Sequence, residues 1–421
     1  MASGSVNRPL ASGVSEAVAA RADRAAAGSP KRAVCLIATC HAWESTAFLP
    51  SLLAGAGLEV EALSPGLVGL SSFVSRHERC SRRPSEAACQ LARLISQRRY
   101  DWIIVSDEDL LAAAAEMMDP LECRAWFPAD AKRSAIVSKY SFLEQMSALG
   151  VSIPAFRFVR SADEATEWMG ELQAPLVIKG DRGFGGREVR LAPDVAHLRS
   201  AVAALTPAYG RVLAQRWIRG DDVSASVLYR HGEPIAWQAF RTSCCYPDTY
   251  SASTLHESIV HPALEGIIRA VGAATRFHGF AGVDFIVDAA SRELFLLELN
   301  PRPTLGHAGA ALSRRFFEPA VRAFISDATQ AEVHRESGAP ARVFFPSYLF
   351  YASKHPQRAK LSHLLRCFSD MPLSDWRVCT WLVIRSLKNA FTRAPQRARS
   401  FPLPARLPAR RALSEAAYER R

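Results

Sequence analysis

The feature that most constrains this chain is the run Glu293-Leu294-Phe295-Leu296-Leu297-Glu298-Leu299-Asn300-Pro301-Arg302-Pro303, an apolar strand that acquires a polar side chain at every second position as it ends. Successive side chains of an extended strand point to opposite faces, so Glu298, Asn300 and Arg302 share one face while Leu299 and Pro301 take the other. A solvated hairpin also alternates, but it rarely sets Glu, Asn and Arg together inside so apolar a strand. Upstream, Gly282-Val283-Asp284-Phe285-Ile286-Val287-Asp288 reads as a second strand, joined by a turn at 289–292, which places Asp284 across from the polar face in an antiparallel pair. Two carboxylates and an amide oxygen form a hard-oxygen set suited to magnesium that shares phosphate oxygens, with Arg302 placed to neutralise phosphate. Asp284, Glu298 and Asn300 are the candidate metal ligands.

Two earlier segments fit a phosphate-bearing ligand. Leu176-Val177-Ile178-Lys179 is a short strand that delivers a lysine into Gly180-Asp181-Arg182-Gly183-Phe184-Gly185-Gly186. Glycines let backbone N–H groups approach phosphate oxygens, and the lysine adds a point charge. Taken alone, a glycine-rich hairpin with no ligand reads equally well. In Val212-Leu213-Ala214-Gln215-Arg216-Trp217-Ile218-Arg219-Gly220-Asp221-Asp222, an apolar strand meets a turn whose backbone can read a purine edge, and Asp222 can accept from ribose hydroxyls.

Around these segments, Ala33–Ala38, Leu58–Leu63 and Trp102–Val105 are short apolar strands separated by helical patterns, a βαβ opening of parallel type. Thr39-Cys40-His41-Ala42 replaces the glycine fingerprint of dinucleotide folds after the first of them. Residues 139–150 read as a helix with Phe142, Leu143, Met146 and Leu149 on one side. The net charge of +11 belongs to the end of the chain: residues 341–421 hold 16 Lys and Arg against 4 Asp and Glu, leaving 36 against 37 for the rest. Specific nucleic-acid binding is therefore not expected, although a basic amphipathic stretch at Trp376–Phe391 is compatible with a membrane surface. No apolar run approaches the roughly 20 residues of a membrane span. The nine cysteines show neither disulfide nor zinc spacing, which fits a reducing cytoplasm.

The order of lysine, strand lysine with glycine loop, hinge strand and Asp…Glu-x-Asn-x-Arg resembles the ATP-grasp superfamily, which includes D-alanine:D-alanine ligase, biotin carboxylase and carbamoyl phosphate synthetase. The resemblance covers about residues 130–315. It implies an α/β (α+β) fold: a leader without regular structure (1–31), an N-terminal Rossmann-like domain (32–128), an ATP-grasp domain (129–330, divided at 205/206), and a basic, partly disordered C-terminal extension (331–421). It also implies Lys139 and Lys179 as nucleotide-phosphate lysines and Gly183, Phe184, Gly185 and Gly186 as a lid. Gln215, Arg216, Trp217 and Ile218 become the adenine hinge, Asp222 the ribose ligand, and Asp284, Glu298 and Asn300 the holders of magnesium, with manganese as the alternative ion. Arg302, Lys179 and Arg241 are the expected catalytic cations, Arg241 having a surface role as its alternative. The implied reaction is phosphorylation of a small carboxylate by ATP and attack of an amine on the acyl phosphate; the alternative is an ATP-binding protein without turnover. A homodimer is compatible with this reading. Acceptor identity is not legible; His307, just past the metal strand and with a surface role as its alternative, is a further candidate for binding it, and Glu108 and His41 are others.

Overall fold

The computed structural model describes residues 32–117, 138–182, 188–246, 253–326, 334–336, 340–369, 371 and 373–392. Three sheets organise them.

The first is a four-stranded parallel sheet, in the order β3 (Val74–Arg79), β2 (Glu59–Ser64), β1 (Val34–Ala38), β4 (Trp102–Val105). Every residue of β1 and of the edge strand β4 is buried, as expected for a parallel sheet covered by helices on both faces. The Pro84–Gln97 helix turns Ala87, Ala88, Leu91 and Leu94 inward. Because β2 and β3 lie on one side of β1 and β4 on the other, the crevice at the carboxyl ends of β1 and β4 is a topological switch point, where ligands of such sheets bind.

The second sheet is small and antiparallel: β5 (Phe156–Val159), β8 (Val212–Arg216), β6 (Leu176–Lys179), β7 (Val189–Ala192). Ser161 and Asp194 cap the two helices that cover it, each accepting a backbone N–H three residues on.

The third sheet runs β13 (Leu294–Asn300), β12 (Gly279–Asp288), β9 (Gly220–Arg230), β10 (Glu233–Cys245), β11 (Ser253–Ser258), β15 (Arg342–Val343), with β14 (His334–Glu336) alongside β10. One face, carrying Val223, Ala225, Val227, Val283, Phe285 and Val287, packs on the Leu264–Thr275 helix. The opposite face carries the polar groups described below.

Described residues beyond 331 pack on two of these sheets. β15 completes the third sheet, and the Trp376–Thr392 helix returns to the first, packing Val378, Cys379 and Leu382 into the core that holds Leu67 and Val68. Asp375, fully buried just before that helix, accepts from Ser71 Oγ and Ser72 N. The boundary expected at 128/129 lies outside the described residues. The helix expected at 139–150 spans Lys139–Ala148; Phe142, Leu143 and Met146 are buried, but Leu149 is exposed, because the helix ends before it and the chain turns at Gly150 (φ +76°).

Candidate active site

β12 and β13 pair antiparallel with Asp284 directly opposite Glu298 and Gly282 opposite Asn300, the arrangement that strand alternation requires. Gly282 is fixed by space: a Cβ there would stand 2.5 Å from Thr304 Cγ2, so only glycine lets the turn after β13 lie against β12. That turn carries Arg302, two residues past the strand end, back to the same cluster, where its Nη2 donates to Asn300 Oδ1 at 3.1 Å.

Each acidic group has a fixed partner. Asp284 accepts from Ser224 Oγ at 2.6 Å and from Asn300 Nδ2 at 2.7 Å. Glu298 accepts from Lys139 Nζ at 2.7 Å. Lys139 is the first residue of its helix, and Asp181 anchors that helix end: its carboxylate accepts from Ser138 Oγ and Tyr140 N, and its carbonyl from Lys139 N. Lys179 ends β6 nearly buried, with Nζ donating to Gln215 Oε1 at 2.9 Å. Gln215 Nε2, also buried, has no hydrogen-bond partner. From the first sheet, Asp107 caps the Glu108–Met117 helix through Leu110 N at 2.7 Å, and Glu108 in its first turn accepts from Arg302 Nε at 3.0 Å.

Burial and charge divide the facing carboxylates. Burial and the neighbouring Glu298 raise Asp284 well above the usual carboxylate range. Burial works in the same direction on Glu298, but Lys139 and Lys179 outweigh it and hold Glu298 below that range. Burial opposes the charge on Lys139 too, and Glu298 with Glu108 overcomes it, raising that lysine; on Lys179 burial prevails and lowers it. Burial raises Glu108 despite Arg302 and Lys139. Two like charges held opposite each other out of water are a costly arrangement, and a divalent cation is the ligand that relieves it. The donor set of two carboxylates and one amide oxygen fits such an ion.

The structure thus brings together Asp284, Glu298, Asn300, Arg302, Lys139 and Lys179. Asp222, in register with Ile286, lies on the same face of the sheet as Ser224 and Asp284. Three of the candidate groups have partners outside this cluster. Arg241 is in register with Val223, on the face opposite Asp284, and is half exposed in ion pairs with Glu257 and Asp221; it does not join the cluster. The backbone N–H groups of Arg216 and Trp217 donate to Ala155 O and Pro175 O, and Ile218 beyond them is buried. His307 is a structural group: its Nδ1 accepts from Thr304 N, its Nε2 donates to Val227 O, and burial lowers its pKa to about 4. Gly183, Phe184, Gly185 and Gly186 lie outside the described residues.

Sequence reasoning overlooked Ser224 and Asp181. Ser224 was available from alternation with Asp222. Asp181 carries a weaker signal, an acid where a phosphate loop has no use for one, which points to a protein partner. Beside Lys139, a cleft of about 340 Å³ opens between the first sheet's helices and the turn after β13, lined by Glu108, Asp109, Lys139, Asp181, Leu299 and Pro301 among others. His41, at the rim of the first sheet, pairs with Asp109.

Residues 136–306 match the family model of the ATP-grasp domain. That segment is an ATP-grasp domain, and the described sheets form a mixed α/β ATP-grasp fold. It is similar to the carbamoyl phosphate synthase large chain of Rubrobacter xylanophilus, 24% identical over 235 residues, 52% of this chain and 22% of that one. It is also similar to N5-carboxyaminoimidazole ribonucleotide synthase of Mycobacterium tuberculosis, 30% identical over 102 residues, 24% of each. The chain spans only about a quarter or less of the length of these two relatives. Among solved structures, the biotin carboxylase domain of Hydrogenobacter thermophilus 2-oxoglutarate carboxylase, in complex with MgADP, ADP and bicarbonate, superposes with a TM-score of 0.56 at 15% identity, covering 74% of this chain and 72% of that one.

Proposed function

We propose that the protein is an ATP-dependent ligase that phosphorylates a small carboxylate to an acyl phosphate, which an amine then attacks, with release of ADP and phosphate. The observation that carries this reading is the cross-strand pair Asp284 and Glu298, with Asn300 beside them and Lys139, Lys179 and Arg302 converging on the same buried face. The ATP-grasp domain and its similarity to carbamoyl phosphate synthase support it, as does the solution of a structural relative with MgADP.

Asp284, Glu298 and Asn300 would hold magnesium, or manganese in its place. When bound, the ion would neutralise phosphate charge and orient the phosphate oxygens for in-line transfer. Lys179, buried and with its charge disfavoured by desolvation, gains a counter-ion when a phosphate arrives, and Gln215 Nε2 gains an acceptor. Arg302 and Lys139 stabilise the charge that develops as the bond from the γ-phosphorus to ADP breaks and a bond to the carboxylate oxygen forms. Attack of the amine nitrogen on the acyl carbon then forms the C–N bond, expels phosphate and releases a proton. No protein nucleophile is required, and the cleft beside Lys139 and Glu108 has the size of a small-molecule site.

The test is ADP and phosphate release across pooled small carboxylic acids and amino acids, followed by transfer of label from an ¹⁸O-carboxylate into phosphate. Label in AMP would replace this mechanism with adenylate chemistry. Binding of MgATP with no ADP from any pool would favour a nucleotide-binding protein without turnover.

A further inference from the structure

A second surface, remote in sequence from the ATP-grasp motifs, carries an unusual combination of exposed apolar and cationic side chains. In the Leu361–Ser369 helix, Leu364 and Cys367 face the small core of Val343, Phe345 and Tyr348. Leu361, Leu365 and Phe368, at i, i+4 and i+7, form a separate outward stripe, exposed by 72%, 64% and 52%. Leu373 and Trp376 follow at 70% and 61%, and the Trp376–Thr392 helix turns Ile384 and Leu387 outward while burying Val378, Cys379 and Leu382. Scattered single apolar residues on a surface need no explanation; two successive helices that each keep a second apolar stripe beyond the one they bury do.

Charge identifies the occupant. Between 347 and 392 the sequence holds seven Lys and Arg against two acids, Asp370 and Asp375, and Asp375 is buried and bound to Ser71 and Ser72. Lys354, Arg358, Lys360 and Arg377 are exposed, Lys360 directly before Leu361 in the chain and Arg377 over the Trp376 ring. A second copy of this surface would bring like charges together. The chain's own ends are poor occupants for the same reason: residues 1–31 hold four Lys and Arg against two acids, and residues 393–421 hold eight against two. A nucleic acid would satisfy the charge but not the leucines. An anionic phospholipid surface satisfies both, since apolar side chains enter the interface while flanking cations meet headgroup charge. No helix among the described residues is long and apolar enough to cross a membrane, so such a surface would lie on a bilayer.

We infer that the surface formed by Leu361, Leu365, Phe368, Leu373 and Trp376 with the surrounding cations docks the protein on membranes containing anionic phospholipid. This goes beyond the proposed ligase activity and does not depend on it. The test is co-sedimentation of the full chain with vesicles of phosphatidylcholine alone and with about 30 mol % phosphatidylglycerol. The inference expects at least about tenfold stronger partition to the anionic vesicles, weakening in about 0.5 M salt. L365S/F368S should lose most of it, and so should L361S/L373S, an independent pair should the first perturb folding. Replacing Arg406, Arg410 and Arg411 with Gln should leave at least half. Absence of vesicle binding overturns the inference. So does binding that survives both leucine pairs but vanishes in the arginine variant, which would assign it to the tail. A dimer in solution that either leucine pair dissociates, or tighter binding to RNA or an acidic protein that both pairs abolish, would likewise replace the membrane by that partner.

Discussion

Replacing Asp284 with asparagine keeps the side chain's shape while removing one of two facing charges, so it separates stability from function. Directly opposed carboxylates stand roughly 5 Å apart, and at an effective dielectric of about 20 their repulsion is about 3 kcal/mol. Part of that is lost again, because Ser224 and Asn300 donate to a charged acceptor in the wild type and to a neutral one in the variant, at a cost of about 1 kcal/mol or more. Asp284→Asn should therefore stabilise the ligand-free protein by about 1–2 kcal/mol, a rise of a few degrees in Tm. With MgATP at about 100 times its Kd, the wild type gains about 2.7 kcal/mol, and the variant, lacking one metal ligand, should lose most of that gain. The two melting curves should cross over: variant above wild type in EDTA, below it in MgATP. Because burial and Glu298 raise Asp284 above its unfolded value, the stability linked to its proton is complete below about pH 4 and is lost as pH rises through the higher folded value; the advantage of the variant should shrink in acid. A variant that melts below wild type in EDTA, or one with an undiminished MgATP increment, would refute the charge argument or the metal assignment respectively.

Lys179→Ala should abolish the MgATP shift of about 2.7 kcal/mol; a shift equal to wild type would remove Lys179 from the phosphate site. Arg241→Ala should leave ATP consumption unchanged and alter stability by no more than about 1 kcal/mol, as expected for exposed ion pairs; a large loss of turnover would restore Arg241 to the catalytic set. His307 is kept neutral by burial down to about pH 4, against about 6.5 for a free histidine, so the stability it contributes is complete above about 6.5 and disappears toward 4, a difference of about 3 kcal/mol. His307→Gln should accordingly flatten the acid limb of Tm against pH, and an unchanged limb would place the acid sensitivity elsewhere.

The polar strand was legible because a two-residue period needs no tertiary information: the spacing of Glu298, Asn300 and Arg302 alone puts them together, and an antiparallel partner then brings Asp284. The parallel opening was legible for a similar reason, the unbroken apolar character of β1 and β4. The face that carries Arg241 was not legible because it depends on register across two further strands, which no local pattern fixes. The acceptors of the Arg216 and Trp217 amides, Ala155 and Pro175, were not legible because they belong to segments distant in sequence. Asp181 was passed over because its role is to hold another residue, and Lys139 stands 42 positions before it.

The hydrogen bonds from Ser71 and Ser72 to Asp375 bridge 304 and 303 residues. A ribosome adding about 5–20 residues per second needs roughly 15–60 seconds to cover that distance, during which the N-terminal sheet exists without the helix that completes its core. Leu67 and Val68, which later share a core with Val378 and Leu382, and the serines that later receive Asp375 lack those partners throughout that interval. Synthesis therefore leaves the sheet around Ser71 unfinished for that interval, a topology that favours chaperone capture of the nascent protein and makes removal of the Trp376–Thr392 helix damaging to residues near position 70.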